Sequence, residues 1–254
     1  MKVVVITQAR SGSTRLPNKV LKEISGKTLL QIHVDRIKQS KLVDEIYIAT
    51  TTNKRDDLIE NLAKELKVNY YRGSENDVLD RFYQTIKYEK PDLIVRLTSD
   101  CPLIDPSLID VVVQQAKDKK LDYYTNTMEE LFPDGQDIEV FTFKALEQAW
   151  KEANLKSERE HVTPYIRNNS SYKGGTLFTS DNYSIDNNYN HVRLTVDEPA
   201  DFEAIEKIII KLGLEVGWKI YADYYLSNKE IYSLNSSIIR NEGYQKSIKE
   251  DKNI

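Results

Sequence analysis

The sequence predicts an α/β protein, a doubly wound, mostly parallel sheet with an inserted α+β subdomain. Three observations point to it. Short apolar runs alternate with helical periodicity over the first 120 or so residues, the pattern of β-α-β units joined by right-handed crossovers. Hydrophobic residues make up 40% of 254 positions and charged residues 30%, a balance that supports a sizeable core. The rhythm breaks from about Leu121 to Asn190 and returns at His191. The expected organisation is one domain over 1–235, an inserted subdomain over about 121–190, and a polar tail over 236–254.

The elements follow in order. Val3 to Ile6 is a buried strand, and a helix from about Thr28 to Gln39 places Leu30, Val34 and Ile37 on one face. Ile46 to Ala49 is the second strand. Leu58, Leu62 and Leu66 mark a second helix by their spacing of four, and Leu79, Phe82 and Ile86 a third after the Arg72-GSEND turn. Leu93 to Leu97 is another buried strand, followed by a helix from Pro106 with Leu108, Val112 and Ala116 on one stripe. A loop is expected at Phe132-PDGQD. His191-VRLTVDEP reads as a strand ending at Asp197, before a helix with Phe202, Ile205, Ile209 and Leu212 on its inner face. Ser236 to Ile254 is polar and expected to pack loosely.

Composition excludes several functions. The net charge of -4 does not suit broad nucleic-acid binding, which needs a basic face. Cys101 is the sole cysteine, so neither an intrachain disulfide nor a cysteine zinc cluster is expected. Thr7, Gln8 and Arg10 interrupt the first apolar run too early for a signal peptide or membrane span, and a cytoplasmic protein with no membrane partner is expected.

Chemistry is concentrated after the first strand. Residues 8–22 hold four cations, Arg10, Arg15, Lys19 and Lys22, and no carboxylate. Such a loop at the carboxyl end of a parallel strand suits phosphate, because Arg and Lys donate charge-assisted hydrogen bonds and Gly12 permits close backbone approach. It is not a P-loop, since Leu21 stands where the motif ending Gly26-Lys27-Thr28 requires glycine, and no G-x-G-x-x-G follows the strand. Asp100 in Leu97-TSDCP and Asp197 in Leu194-TVDEPADF both fall at expected strand ends, where carboxylates facing a cationic loop would hold Mg²⁺ on a triphosphate. Cys101 beside Asp100 is a poor nucleophile, because a neighbouring carboxylate raises its pKa. His33 and His191 are expected to serve packing or capping.

These residues resemble a known family. Ala9-RSGSTRLPNK, Leu97-TSDCP and Leu194-TVDEPADFE are similar to the three signature segments of cytidylyltransferases that activate acidic sugars such as 3-deoxy-manno-octulosonate. Arg72-GSENDVLDRF, Glu158-REHVTPYI and Asn241-EGYQKS add likeness to the spore coat polysaccharide biosynthesis branch. The resemblance implies a Rossmann-like nucleotidyltransferase fold, transfer of CMP from CTP to an acidic, modified or phosphorylated acceptor, Mg²⁺ as cofactor and a homodimer. It implies that Arg10, Arg15 and Lys19 hold the triphosphate, that Ala9 helps to seat the pyrimidine, and that Arg72, Gly73 and Ser74 close around the base. Asp100 and Asp197 take the metal, and Arg10, Lys19 and Asp100 carry catalysis. Ser13 and Thr98 are expected among the substrate contacts. One departure is plain: the octulosonate enzymes carry Gln-Gly-Asp-Glu-Pro where this chain has Thr98-Ser99-Asp100-Cys101-Pro102, so the base-contacting Gln is missing.

Three further positions stay open between roles. His161, with Glu158 and Glu160, is an acceptor or metal ligand, or part of a helical surface cluster. Glu139 belongs to the acceptor pocket or to a strand surface. Tyr123 and Tyr124 stack on a ligand, or belong to the core or a dimer face. Two other functions are compatible with the loop: a nucleotide-sugar glycosyltransferase, disfavoured because no two aspartates are separated by one residue, and a noncatalytic nucleotide-binding module.

Overall fold

The computed structural model describes residues 1–251. The first apolar run forms β1 (Val3–Gln8), with Val3 to Ile6 fully buried because helices cover both faces of the strand. A small hairpin of β2 (Glu23–Ile24) and β3 (Lys27–Thr28) leads into α1 (Leu29–Ile37). Thr28 caps that helix, its hydroxyl accepting from the Gln31 amide at 3.1 Å. There follow β4 (Glu45–Thr51), α2 (Asp57–Glu65), β5 (Asn69–Gly73), α3 (Val78–Ile86), β6 (Leu93–Thr98) and α4 (Pro106–Lys119). Asp77 and Asp105 cap α3 and α4, and Pro106 opens α4, where a missing amide hydrogen costs nothing.

β5, β4, β1 and β6 lie side by side in that order, all parallel. Alternation along β1 divides the core: Val4 and Ile6 pack against α3, Val3 and Val5 against α4. Residues 121–190 extend the same sheet. β7 (Tyr123–Thr125) and β8 (Glu139–Thr142) add antiparallel strands beside β6, and α5 (Phe143–Glu152), α6 (Lys156–His161) and α7 (Pro164–Asn168) lead to β9 (Ser180–Asn182), parallel to β7. The sheet has seven strands, mostly parallel and covered by helices on both sides. Tyr123 and Tyr124 belong to the core, one on each face of the sheet. The chain ends with α8 (Pro199–Leu212), α9 (Trp218–Ser227), α10 (Lys229–Asn235) and α11 (Glu242–Asp251). Among the described residues no helix is long and apolar enough to cross a membrane.

Three expectations are corrected. In α2 the innermost residues are Ile59 and Ala63, both fully buried against Leu30, Val34 and Ile48; Leu62 and Leu66 pack partly buried against the same cluster, while Leu58 is 60% exposed.

The segment 191–197 alternates as a strand does, burying Val192, Leu194 and Val196 against α8. It joins no sheet because its neighbours are loops: the Leu194 amide donates to the Asp134 carbonyl at 2.7 Å and the Val196 amide to the Asp100 carbonyl at 2.8 Å. Gly135 permits this contact. Its φ is +107°, and a Cβ there would lie 2.7 Å from the Leu194 carbonyl carbon.

The tail is also better ordered than its polarity suggests. Its contacts are mostly polar, with Lys156 paired to Glu250, Arg240 to Asp137 and the Ser157 amide donating to Asp251, and α11 packs against α6 with Ser247 buried. Residues 252–254 of the expected tail lie outside the described residues.

Candidate active site

The loop after β1 is clamped from within. The Ala9 amide donates to the Ala49 carbonyl at 3.2 Å, extending the ladder by one residue. Ser11 then turns the chain, donating its amide and hydroxyl to Asp56 Oδ1 at 2.8 and 2.6 Å. Asn18 closes the loop with a left-handed φ of 55°, its backbone amide donating a hydrogen bond to the Ser11 carbonyl at 3.1 Å. Gly12 serves a different neighbour from the one its sequence context suggests: a Cβ would meet Arg55 Nη2 at 2.4 Å. Arg55 in turn pairs with Glu75 at 2.6 Å, and Glu75 accepts from Arg10 at 3.1 Å.

This clamp delivers Lys19, 13% exposed, between Asp100 and Asp197. Its Nζ lies 2.8 Å from Asp100 Oδ2 and 2.6 Å from Asp197 Oδ1. Burial works against the ammonium, but the two carboxylates outweigh it and hold its pKa above the ordinary lysine value. Burial likewise opposes the Asp100 carboxylate, and Lys19 overcomes this, pulling its pKa down to about 2. Arg15 pairs with Asp197 at 3.3 Å and with Glu242 of the tail at 3.2 Å.

The turn carrying Asp100 is fastened from below by His33. The Cys101 carbonyl lies 2.8 Å from His33 Nδ1, and the Thr7 hydroxyl 3.0 Å from Nε2. A carbonyl only accepts, so Nδ1 carries the hydrogen and Nε2 accepts from Thr7. Burial pushes the His33 pKa down to about 4. Its stabilising effect is therefore full above about pH 6.5 and is lost as the pH falls toward 4, a loss of about 3 kcal/mol. Urea unfolding between pH 7.5 and 4.5 tests this: His33→Gln should flatten the decline, and an unchanged slope would remove His33 from it. Cys101 is buried, and its thiol pKa is raised first by burial and then by Asp100, which disfavours the thiolate. His191 is exposed and packs into no core.

Asp197 is set by a buried cluster. Arg193, 6% exposed, makes a two-pronged pair with fully buried Asp201 at 2.8 and 2.9 Å and reaches Asp134 at 2.7 Å. Asp201 Oδ2 accepts the amides of Asp197 and Glu198 at 2.9 and 3.0 Å, fixing the turn into α8.

Two cavities meet at these carboxylates. The larger, about 700 Å³, is lined by Ala9, Arg10, Ser13, Arg15 and Lys19, with Glu75, Asn76 and Arg81 opposite. The smaller, about 290 Å³, is lined by Arg96, Glu139, Arg167 and Arg240. Gln8, Arg15, Thr98, Asp100, His161 and Asp197 line both.

Glu139 is not a strand-surface residue. It is 5% exposed, pairs with Arg96, accepts from the Tyr123 hydroxyl at 2.6 Å, and stays ionised because Arg96 outweighs its burial. His161 lies between the two cavities, and burial lowers its pKa to about 4. Glu158 folds back to accept the Asn154 and Leu155 amides, both at 3.1 Å.

Arg72, Gly73 and Ser74 reach neither cavity wall. Arg72 turns to α2, which offers Glu60 at 2.8 Å and Asp57 at 2.7 Å, and it donates to the carbonyls of Thr51 and Asn53. The Gly73 carbonyl accepts the Thr52 amide and the Ser74 hydroxyl the Asp77 amide, while Glu75 and Asn76, next along the chain, line the larger cavity.

Sequence reasoning missed Gln8, Arg81, Arg96, Arg193 and Arg240. Gln8 had a signal, as the last residue of the first strand, and its buried Oε1 has no partner among the described residues. Arg193 and Asp201 flank or lie within the quoted Asp197 segment, but nothing local shows that they pair. Arg96 and Arg240 reach the cavity from distant elements and carried no signal. The paired carboxylates at the junction are an oxygen donor set of the kind Mg²⁺ takes alongside phosphate. No group of three or more His, Cys, Asp and Glu side chains placed to hold a metal occurs among the described residues.

Comparison with known proteins identifies relatives of the chain. Residues 4–235 match a family model described as cytidylyltransferase. The chain is 40% identical over 246 residues to an uncharacterised protein of Methanocaldococcus jannaschii, covering 96% of this chain and 98% of that one. It is 36% identical over 222 residues to the spore coat polysaccharide biosynthesis protein SpsF of Bacillus subtilis, covering 83% and 88%. A solved cytidylyltransferase from Leptospira borgpetersenii superposes with a TM-score of 0.85 at 34% identity, covering 94% of this chain and 100% of that one.

Proposed function

Because the chain belongs to the cytidylyltransferase family, we propose that it transfers CMP from CTP to an acidic or modified sugar, releasing pyrophosphate, in surface polysaccharide biosynthesis. One observation carries the reading: Lys19 is held between Asp100 and Asp197 where a cavity walled by the cationic loop meets a second cavity. Two substrates entering from opposite sides would meet there.

In this reading the larger cavity takes CTP, with the pyrimidine near Ala9 and the triphosphate on Arg10, Ser13, Arg15 and Lys19. The acceptor occupies the smaller cavity, against Glu139 and His161. Its oxygen attacks the α-phosphorus, the bond to the bridging oxygen of the β-phosphate breaks opposite, and pyrophosphate leaves. Arg10 and Lys19 offset the charge that collects on the leaving group, and holding both reactants in register supplies much of the acceleration. Asp100 and Asp197 would hold Mg²⁺, which neutralises phosphate charge and lowers the pKa of a bound oxygen.

The reading is tested by pyrophosphate release from each of the four ribonucleoside triphosphates, with and without a panel of acidic sugars. CTP should be used at least about tenfold faster than the others, and only with an acceptor present. Release independent of acceptor, or a preference for another base, would overturn it.

A further inference from the structure

The described C-terminal residues lie beyond the span matched to the family, residues 4–235, and yet they build part of the smaller cavity. Arg240 is 12% exposed at its side chain, donates to the Phe132 carbonyl at 3.0 Å and pairs with Asp137 at 2.6 Å, leaving its buried Nε without a partner among the described residues. Asn241 then adopts a left-handed φ of 59° and gives its side-chain amide to Glu130 at 2.7 Å. This bend starts α11 and carries Tyr244 over the cavity. There its ring meets His161 edge-on at 5.0 Å and the Arg167 guanidinium lies 5.0 Å from its centre. All six residues from Ile239 to Tyr244 line the smaller cavity, and none lines the larger one.

We infer that the segment Ile239–Tyr244 is the outer wall of the acceptor subsite and determines which acceptor is taken, with Tyr244 touching the acceptor and Arg240 acting as a positioning residue. This rests on the proposed cytidylyl transfer. The chemistry suits an acceptor with a ring face and an anionic group. Tyr244 offers an aromatic surface, and Arg167 has no carboxylate within ion-pair distance among the described residues, whereas Arg96 and Arg240 are held by Glu139 and Asp137. Arg240 acts through geometry: its two anchors tie the segment to the Phe132-to-Asp137 loop, which fixes how far Tyr244 reaches.

The test is acceptor-dependent pyrophosphate release by the full chain from CTP, with 3-deoxy-manno-octulosonate, N-acetylneuraminate and glucuronate as probes. Tyr244→Ala should raise the acceptor KM about tenfold or more, leave the CTP KM within about twofold, and change the ranking of the three sugars. Tyr244→Phe, which keeps the ring, should stay near the unaltered protein. Arg240→Gln should shift the acceptor KM in the same direction, again without moving the CTP KM.

An unchanged acceptor KM in Tyr244→Ala, or an equal rise in both KM values, would overturn the inference while cytidylyl transfer stands. If the unaltered protein releases pyrophosphate from CTP whether or not an acidic sugar is present, the reading beneath fails and takes the inference with it.

Discussion

Lys19→Ala should lower kcat/KM for CTP-dependent pyrophosphate release by about 10²–10³-fold, the effect of removing one preorganised charge-stabilising donor from a transition state. The side chain is only 13% exposed and is aimed by hydrogen bonds of 2.8 and 2.6 Å, so it is in place before substrate arrives. Its loss also leaves Asp100 and Asp197 facing each other without the intervening cation. The Asp100 pKa, held at about 2 by Lys19 against the effect of burial, should then rise toward the ordinary carboxylate range. The pH-rate profile of the variant should accordingly lose activity at a higher pH on its acid side than the unaltered protein does. Asp100→Asn should cost a comparable factor. Steady-state kinetics with saturating acceptor checks both variants, and full pyrophosphate release in the two would rule out these assignments.

Arg193→Met should destabilise the fold by about 3–5 kcal/mol, because it removes one partner of a buried ion pair and leaves the Asp201 carboxylate without its counter-charge. Asp201 is fully buried and gains no water to compensate; Asp134, whose pKa burial already pushes up to about 7, adds less to the loss. Burial opposes the Asp201 carboxylate, and Arg193 outweighs it, holding the pKa below the ordinary value. Its contribution is therefore full at neutral pH and is lost as the pH falls through the carboxylate range. Arg193→Met with Asp201→Asn should recover part of the loss, since a neutral amide costs less to bury unpaired than a carboxylate. Urea unfolding at pH 7 measures both. A loss below about 1 kcal/mol in the single variant would mean that the cluster contributes little.

What could be read from the chain depended on whether the causes of structure were local. β1, α3 and α4 stand close to where the periodicity placed them, because burial on known faces leaves a repeating imprint. In α2 the imprint was ambiguous. Leu58, Leu62 and Leu66 share one spacing, yet Leu62 and Leu66 pack beside Ile59 and Ala63 against Leu30 and Val34 of α1 while Leu58 is left exposed. Arg72 shows the same limit at the level of charge. Its neighbours in sequence gave no sign that Asp57 and Glu60 of α2 would capture it. The tail was harder still, because its order comes from ion pairs such as Lys156 with Glu250 and from Arg240 with Asp137, partners roughly a hundred residues away.

The α/β class, the cationic loop of Arg10, Arg15 and Lys19, and the two carboxylates Asp100 and Asp197 are written in neighbouring residues, as periodicity and motif spacing. That Lys19 bridges those carboxylates, that Arg193 and Asp201 set one of them, and that Arg240 and Tyr244 wall the smaller cavity emerges only on folding. A hydrogen bond or an ion pair acts over a few ångströms in space. A chain folded around a seven-stranded sheet brings to that distance residues that its sequence keeps far apart.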